Sequence, residues 1–193
     1  MQIFYYLVTG SLLMIIFMIL YLPIYFILRK KQIPVLKQLS WVLLGGVIFV
    51  ILVATILLDV IAGGITFNPP VHHLNLMPFN WLFETWEMGR LKMISQVIGN
   101  ILMFIPLGFL LPLVFKSLSS FKKNFQVIFF FSLSIEFIQY FIGRSSDIDD
   151  LILNTLGGMV GYTIYFIVFK LFSLKDKEEL VDELEIKKSL WKA

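Results

Sequence analysis

Polar residues are crowded into one short part of an otherwise apolar chain, residues 135–158. This stretch contains Glu136, Gln139, Arg144, Asp147, Asp149, Asp150 and Asn154. Glu136 and Gln139 lie three residues apart and therefore share one face of a helix. A carboxylate in apolar surroundings can serve as a general acid or base, and the planar fork of Arg144 can bind a phosphate or a carboxylate. The residue types fit either ligand recognition or acid–base catalysis.

The composition predicts that these residues belong to a membrane protein. Of the 193 residues, 59% are hydrophobic and 15% are charged, whereas a soluble domain has about 45–50% apolar and about 25% charged residues. There is no cysteine, which excludes disulfides, thiolate metal sites and cysteine nucleophiles. The net charge of +3 has a topological explanation, given next, so we predict no nucleic-acid partner.

Five segments are long and apolar enough to cross a bilayer, which needs about 20 mostly apolar residues per helix. They lie at about 3–28, 41–62, 97–115, 125–142 and 151–172. Lysine and arginine concentrate on the cytoplasmic side of short loops. Thirteen of them lie around or after the ends of the first, third and fifth segments, against three in the other loops. We therefore predict an all-α, multi-pass cell-membrane protein with its N-terminus outside and its C-terminus in the cytoplasm.

The remaining segments complete the predicted organisation. Residues 1–172 form a transmembrane helical domain, and the first apolar segment lacks the basic start and the cleavage site of a signal peptide. The outer loop between the second and third spans contains Asn80–Trp86, whose tryptophans predict a short helix at the membrane interface. Residues 173–193 mix lysines and acids around apolar positions, which is typical of an amphipathic cytoplasmic tail.

This topology gathers the polar residues at the outward end of the bundle. They are Asn100, Glu136, Gln139, Arg144, Asp147, Asp150 and Asn154. The inward halves of the same three spans hold little beyond hydroxyl groups. Ionisable residues at membrane depth usually face the bundle interior or a wet cavity. The sequence therefore predicts a ligand-binding polar pocket that opens to the outer face.

Structural roles are the alternative for several of these residues. Asp147, Asp149 and Asp150 fit the N-cap and first turn of a helix, where acids are favourable. We assign capping chiefly to Asp149, whereas Asp147 and Asp150 can cap the helix and still face the pocket. Arg144 can equally be the counter-ion of Glu136 or an anchor at the lipid headgroups.

Other features favour packing over chemistry. Gly157, Gly158 and Gly161 follow the small-residue pattern that lets helices approach closely. Pro106 removes one helical hydrogen bond and predicts a kink in the third span. The neighbouring pair His72 and His73 does not share a helix face and has no carboxylate at ligand spacing, so we predict no metal site.

Four stretches resemble the VanZ-like family. They are NLMPF (Asn75–Phe79), NILMFIPLGFLLP (Asn100–Pro112), IEFIQ (Ile135–Gln139) and GRSSDIDDLILNTLGGMVGY (Gly143–Tyr162). The namesake of this family confers low-level resistance to the glycopeptide antibiotic teicoplanin. The resemblance, which covers residues 75–162, implies a bacterial cell-envelope membrane protein associated with glycopeptide resistance, but it implies no reaction.

Two functions stay open at this point. In the first, the pocket binds a lipid-linked or lipophilic envelope molecule, such as a cell-wall precursor or a glycopeptide antibiotic, and membrane lipids are its other partners. In the alternative, the protein is an intramembrane enzyme acting on a lipid-linked cell-wall intermediate. Glu136 would then be the acid–base group, Arg144 would stabilise negative charge and Asp150 would be the second carboxylate. A transporter is a weaker third interpretation, and no cofactor is predicted.

Overall fold

The computed structural model describes residues 15–16, 18–19, 21–27, 29, 34–63, 74–79 and 90–192. For residues 59, 62–63, 90–96 and 172–192 it describes the backbone alone. The described residues between positions 15 and 29 are helical, which agrees with the later half of the first predicted span. Three predictions lie outside the described residues: the earlier half of that span, the interfacial helix at Asn80–Trp86, and the histidine pair.

The described chain is predominantly helical, as predicted. Its elements are α1 (Val35–Leu52), a π-helical segment (Val53–Leu57), α2 (Leu58–Gly63), β1 (Leu74–Asn75), α3 (Arg90–Val114), a 3₁₀ turn (Lys116–Leu118), α4 (Phe121–Phe141), β2 (Ser146–Asp147) and α5 (Ile148–Lys192). β1 and β2 pair in parallel, with Leu74 opposite Ser146 and Asn75 opposite Asp147. This short strand pair was not predicted from the sequence and is an addition to the predicted all-α fold.

Three stretches of helix in the described part of the chain are long and apolar enough to cross a membrane: Val35–Leu57, Val97–Val114 and Ile148–Leu171. They correspond to the second, third and fifth predicted spans. α4 corresponds to the fourth but is not among the three, because polar residues such as Asn124, Glu136 and Gln139 lower its hydropathy. The full set of five spans and the orientation stay predictions.

α5 runs through the predicted boundary between the transmembrane domain and the tail. Its 45 residues form one continuous helix, without a break near residue 172. The described part of the tail is therefore helical, and its amphipathic character and cytoplasmic location stay predictions.

α5 packs chiefly against α3, and glycines set the distance between them. A Cβ atom added at Gly108 would collide with the backbone of Gly158, and one at Gly161 would collide with the backbone of Ile105. Gly157 meets the backbone of Ile101 in the same way. The predicted packing role of Gly157, Gly158 and Gly161 is confirmed, and Gly108 of α3 joins them. We call Gly108, Gly157, Gly158 and Gly161 the glycine seam.

The apolar core surrounds this seam. Phe104 of α3 and Ile128 of α4 are fully buried, and an added Cβ at Gly158 would collide with the Ile128 side chain. Ile51 of α1 completes the cluster from the opposite side. α3 continues through Pro106 and Pro112 without ending. The core thus packs four helices together, namely α1, α3, α4 and α5.

Candidate functional site

Three helices and the π-helical segment enclose a cavity of about 480 Å³, which we call the polar cavity. Its lining residues are Ala54, Thr55, Gly99, Asn100, Met103, Ile135, Glu136, Gln139, Arg144, Asp150 and Asn154. Six of the seven residues predicted for the pocket are in this set. The seventh, Asp147, lines a neighbouring cavity instead. That these residues bind a ligand stays a prediction.

A Schellman motif at the end of α4 places Arg144 over the cavity. The Gly143 N–H donates to the Tyr140 carbonyl, and the Arg144 N–H donates to the Gln139 carbonyl at 2.9 Å. Gly143 has φ of 86°, a left-handed conformation that glycine adopts without steric cost. The chain reverses here and returns the arginine side chain toward the bundle.

Arg144 and Gln139 meet at one backbone carbonyl. The Gln139 Nε2 donates to the Thr55 oxygen at 2.8 Å, and an Arg144 guanidinium nitrogen donates to the same oxygen at 3.0 Å. Thr55 lies in the π-helical segment, a distortion of the helical hydrogen-bond pattern that often occurs at functional sites. Sequence reasoning missed Thr55, because VATIL reads as ordinary apolar helix.

Glu136 is buried, with 5% of its surface exposed. Its Oε2 accepts hydrogen bonds from the Asp147 backbone N–H at 2.9 Å and from the Ser146 hydroxyl at 3.3 Å. These donors come from β2, so the carboxylate holds the strand against α4. The described partners of Glu136 do not include Arg144, which was considered as its counter-ion.

The acids at the start of α5 have separate tasks. Asp147 caps the helix, because its Oδ1 accepts the backbone N–H of Asp149 at 2.9 Å. Its Oδ2 accepts from the Asn75 amide at 3.1 Å. Asp149 accepts the backbone N–H of Phe79 at 2.6 Å and is buried. The side-chain cap is therefore Asp147 and not Asp149, and Asp149 holds the 74–79 loop.

Asp150 is the acid of this group that lines the polar cavity. Its Oδ1 accepts a hydrogen bond from the Asn100 amide of α3 at 2.5 Å. It also interacts electrostatically with Arg144 across the cavity. The Asn100–Asp150 hydrogen bond joins α3 to α5 at the cavity.

Two buried amide oxygens at the cavity accept no hydrogen bond from any described residue. They are Gln139 Oε1 and Asn154 Oδ1, on side chains only 4% and 2% exposed. The Asn154 nitrogen donates to the Ser132 hydroxyl at 3.0 Å, so the amide is anchored through its other end. Most buried polar atoms in proteins have a partner. Both oxygens therefore have hydrogen-bonding capacity that no described residue uses.

A second cavity of about 500 Å³ adjoins the first, and we call it the apolar groove. It is lined by Leu74, Asn75, Leu76, Leu133, Glu136, Phe137, Tyr140, Phe141, Ser146, Asp147, Ile148 and Leu151. Its walls are mainly aliphatic and aromatic side chains of α4 and α5. Glu136 lines both cavities. The site thus consists of the charged polar cavity and the hydrocarbon-like apolar groove, and the Glu136 carboxylate lies between them.

The described part of the site offers carboxylates, amides and a guanidinium. Among the described residues, no group of three or more histidine, cysteine, aspartate or glutamate side chains is arranged to hold a metal ion. The arrangement of Glu136 and Asp150 beside Arg144 can bind a polar ligand or transfer a proton.

One buried amide lies away from the site. Asn124, near the start of α4, is fully buried and its nitrogen lies 3.4 Å from the Gly108 carbonyl. It is one residue outside the predicted fourth span, so sequence reasoning missed it. Asn124 therefore lies just beyond the segment to which the expectation of little beyond hydroxyls applied.

Comparisons with known proteins identify the family of the chain. The family model described as VanZ/LLP1 matches residues 12–170. A protein named Protein VanZ from Enterococcus faecium is 34% identical over 116 residues, which is 60% of this chain. The aligned region spans 66% of that relative, just under two thirds of its length. No solved structure matches the chain.

Proposed function

The chain belongs to the VanZ/LLP1 family, and from this premise we propose that it is a bacterial cell-envelope membrane protein whose polar cavity binds a lipid-linked or lipophilic envelope molecule. The family resemblance also links the chain with glycopeptide resistance. The two ligand candidates are therefore a lipid-linked cell-wall precursor and a glycopeptide antibiotic. In this proposal the cavity opens to the outer face of the membrane, where both molecules are met.

The observation that carries the proposal is the meeting of polar side chains from three helices around one cavity. An ionised side chain in the bilayer costs at least about 2.5–3.5 kcal/mol on insertion scales, so such residues commonly mark functional sites. Structural partners explain part of this arrangement, since Glu136 holds β2 and Asp150 accepts a hydrogen bond from Asn100. They do not explain the unpartnered oxygens of Gln139 and Asn154.

Mass spectrometry of co-purified lipids tests the proposal. Wild type, Arg144→Ala and the control Lys122→Ala are purified identically from a bacterial host. Lys122 is exposed at the start of α4 and lines neither cavity. We expect a lipid-linked envelope molecule with wild type and Lys122→Ala, and its loss with Arg144→Ala. Bulk phospholipid alone in all three preparations would count against the proposal.

The outward orientation has its own test, because the chain contains no cysteine. Ser145→Cys places a thiol at the exposed turn beside the site, and Lys116→Cys places one at the exposed turn between α3 and α4. A membrane-impermeant maleimide added to intact cells is expected to label the first variant only. Labelling of Lys116→Cys alone would reverse the proposed orientation.

Catalysis is the second candidate function, and one observation favours it: two carboxylates and a guanidinium line the same cavity. Glu136 would exchange a proton with a lipid-linked intermediate, and Arg144 would stabilise developing negative charge. Purified protein incubated with such an intermediate would then release a product, and Glu136→Gln would abolish it. Unchanged substrate after incubation with wild type would exclude this candidate.

A further inference from the structure

The hydrogen-bonding balance of the polar cavity narrows the ligand class. We infer that the part of the ligand entering this cavity is a saccharide, rich in hydroxyl groups, and that its hydrocarbon portion lies in the apolar groove. This inference rests on the proposed function and deepens it, because it names the headgroup that the site selects.

Acceptors exceed donors among the side chains that line the cavity. The oxygens of Gln139 and Asn154 have no described donor, although both side chains are more than nine-tenths buried. Glu136 and Asp150 each contribute a carboxylate, which has about four acceptor sites. The hydrogen bonds from Ser146, Asp147 and Asn100 occupy only part of that capacity.

Part of the donor capacity is used within the protein. The amide nitrogens of Asn100, Gln139 and Asn154 each use one of their two N–H groups, on Asp150, the Thr55 carbonyl and Ser132. Arg144 also donates to the Thr55 carbonyl. The remaining acceptor sites still exceed the remaining donors, so a ligand that fits this balance must bring donors of its own as well as acceptors.

Hydroxyl groups satisfy that requirement better than a phosphate or an amine. An ionised phosphate presents mainly acceptors and negative charge, and it would face the carboxylates of Glu136 and Asp150. An ammonium group would share the cavity with the Arg144 cation. A sugar hydroxyl is uncharged and both donates and accepts, so neighbouring hydroxyls can pair with carboxylate and amide groups alike. The cavity of about 480 Å³ is within the range of roughly 300–1,000 Å³ for small-ligand pockets.

The apolar groove indicates that this saccharide is joined to a hydrocarbon chain. Glu136 lines both cavities, so a headgroup bound at that carboxylate lies at the mouth of the groove. Phe137 and Phe141 of α4 are largely exposed at its outer wall, on a surface suited to lipid. An amphiphile can fill both compartments, whereas a free sugar would leave the groove without a partner.

Binding of four matched probes to the purified full-length protein tests the inference. The probes are monoglucosyl-dioleoylglycerol, dioleoylglycerol, dioleoyl phosphatidic acid and methyl glucoside. A detergent without a sugar headgroup is required, because a maltoside would compete for the cavity. We expect the glycolipid to bind at least about tenfold more tightly than any other probe, as several extra hydrogen bonds would give.

The possible outcomes separate this inference from the proposed function. Phosphatidic acid or dioleoylglycerol binding as tightly as the glycolipid would overturn the saccharide assignment and leave lipid binding intact. Methyl glucoside binding as tightly would overturn the role of the groove. Failure of every probe, together with no co-purified envelope lipid, would overturn the proposed function itself.

Asn154→Leu and its control Asn124→Leu test whether the polar cavity is the cause of the preference for the glycolipid over the other probes. Both remove a buried asparagine with an unpartnered oxygen, but Asn124 lines neither the polar cavity nor the apolar groove. We expect Asn154→Leu to weaken glycolipid binding about threefold to tenfold, with little change for dioleoylglycerol. Asn124→Leu should leave both affinities unchanged. Equal loss in the two variants would show that the effect comes from the fold and would overturn the assignment.

Discussion

The glycine seam and the polar cavity both involve α3 and α5, and they differ in how much space separates the two helices. At the seam, α3 and α5 approach so closely that a single methyl group has no room at Gly108 or Gly161. At the cavity, a methyl group at Gly99 of α3 would meet nothing within 4 Å. One helix thus carries glycines for contact at one level and for open space at another.

The comparison suggests how the site keeps its shape in the membrane. Helix association in a bilayer depends on close packing and interhelical hydrogen bonds, because lipid supplies no hydrophobic driving force between helices. The seam supplies the packing, and the Asn100–Asp150 contact supplies a hydrogen bond at the cavity. A site supported by rigid helices is preorganised for its ligand.

The largest effect on stability is expected from adding a methyl group at the glycine seam. Gly108→Ala places a Cβ against the Gly158 backbone, which has no rotamer by which to yield. Overpacking typically costs about 1–3 kcal/mol and occasionally more, and we expect the upper end or beyond. Gly99→Ala is the control on the same helix and should be neutral or gain up to about 1 kcal/mol in helix propensity. Thermal unfolding in detergent measures both, and similar melting temperatures would contradict the comparison.

The next effect concerns the carboxylate between the two cavities. Glu136→Leu leaves the Asp147 N–H and the Ser146 hydroxyl without their acceptor, at a cost of about 1–3 kcal/mol for a buried unsatisfied group. Glu136→Gln keeps an acceptor oxygen and should retain most of the stability. Under the binding proposal, Glu136→Gln also retains ligand binding. A stable Gln variant that binds no ligand would show that the negative charge itself is required.

The sequence predicted the polar site better than it predicted how the site is built. Six of the seven predicted residues line one cavity, because ionisable and amide side chains in an apolar chain are costly unless they face a polar space. The close glycine packing was also predictable, since spacing along a helix determines which residues share a face.

The features that the sequence did not reveal depend on contacts between distant residues. The strand pair joins residues 74–75 to 146–147, and two-residue strands leave no periodic pattern. Thr55 acts through its backbone carbonyl, which every residue type possesses. Both Asp147 and Asp149 fit a helix N-terminus by sequence, and their contacts distinguish them: Asp147 accepts the Asp149 N–H, whereas Asp149 accepts the N–H of Phe79.

A smaller effect is expected from the two donors on the Thr55 carbonyl. Gln139→Met and Arg144→Met each remove one donor and leave the other in place, so each should cost about 0.5–1.5 kcal/mol. The double variant leaves the carbonyl with neither, and its cost should exceed the sum by about 0.5 kcal/mol or more. Gln139→Met combined with Thr163→Val, on a distant exposed turn of α5, is the additive control. Unfolding free energies in mixed micelles provide the measurement, and additivity in both pairs would exclude a shared acceptor.

The smallest effect is expected at the strand pair, which joins the 74–79 loop to the start of α5. Asn75→Ala removes the hydrogen bond to Asp147 Oδ2 but leaves Asp147 Oδ1 on the Asp149 N–H, so the helix cap persists. We expect a cost of about 0.5–1 kcal/mol, with hydrogen exchange faster at residues 74–79 and unchanged in the first turn of α5. Asp147→Ala removes both contacts and should expose that first turn as well. Faster exchange in the first turn of α5 in the Asn75→Ala variant would contradict this expectation and would show that the helix cap depends on the 74–79 loop.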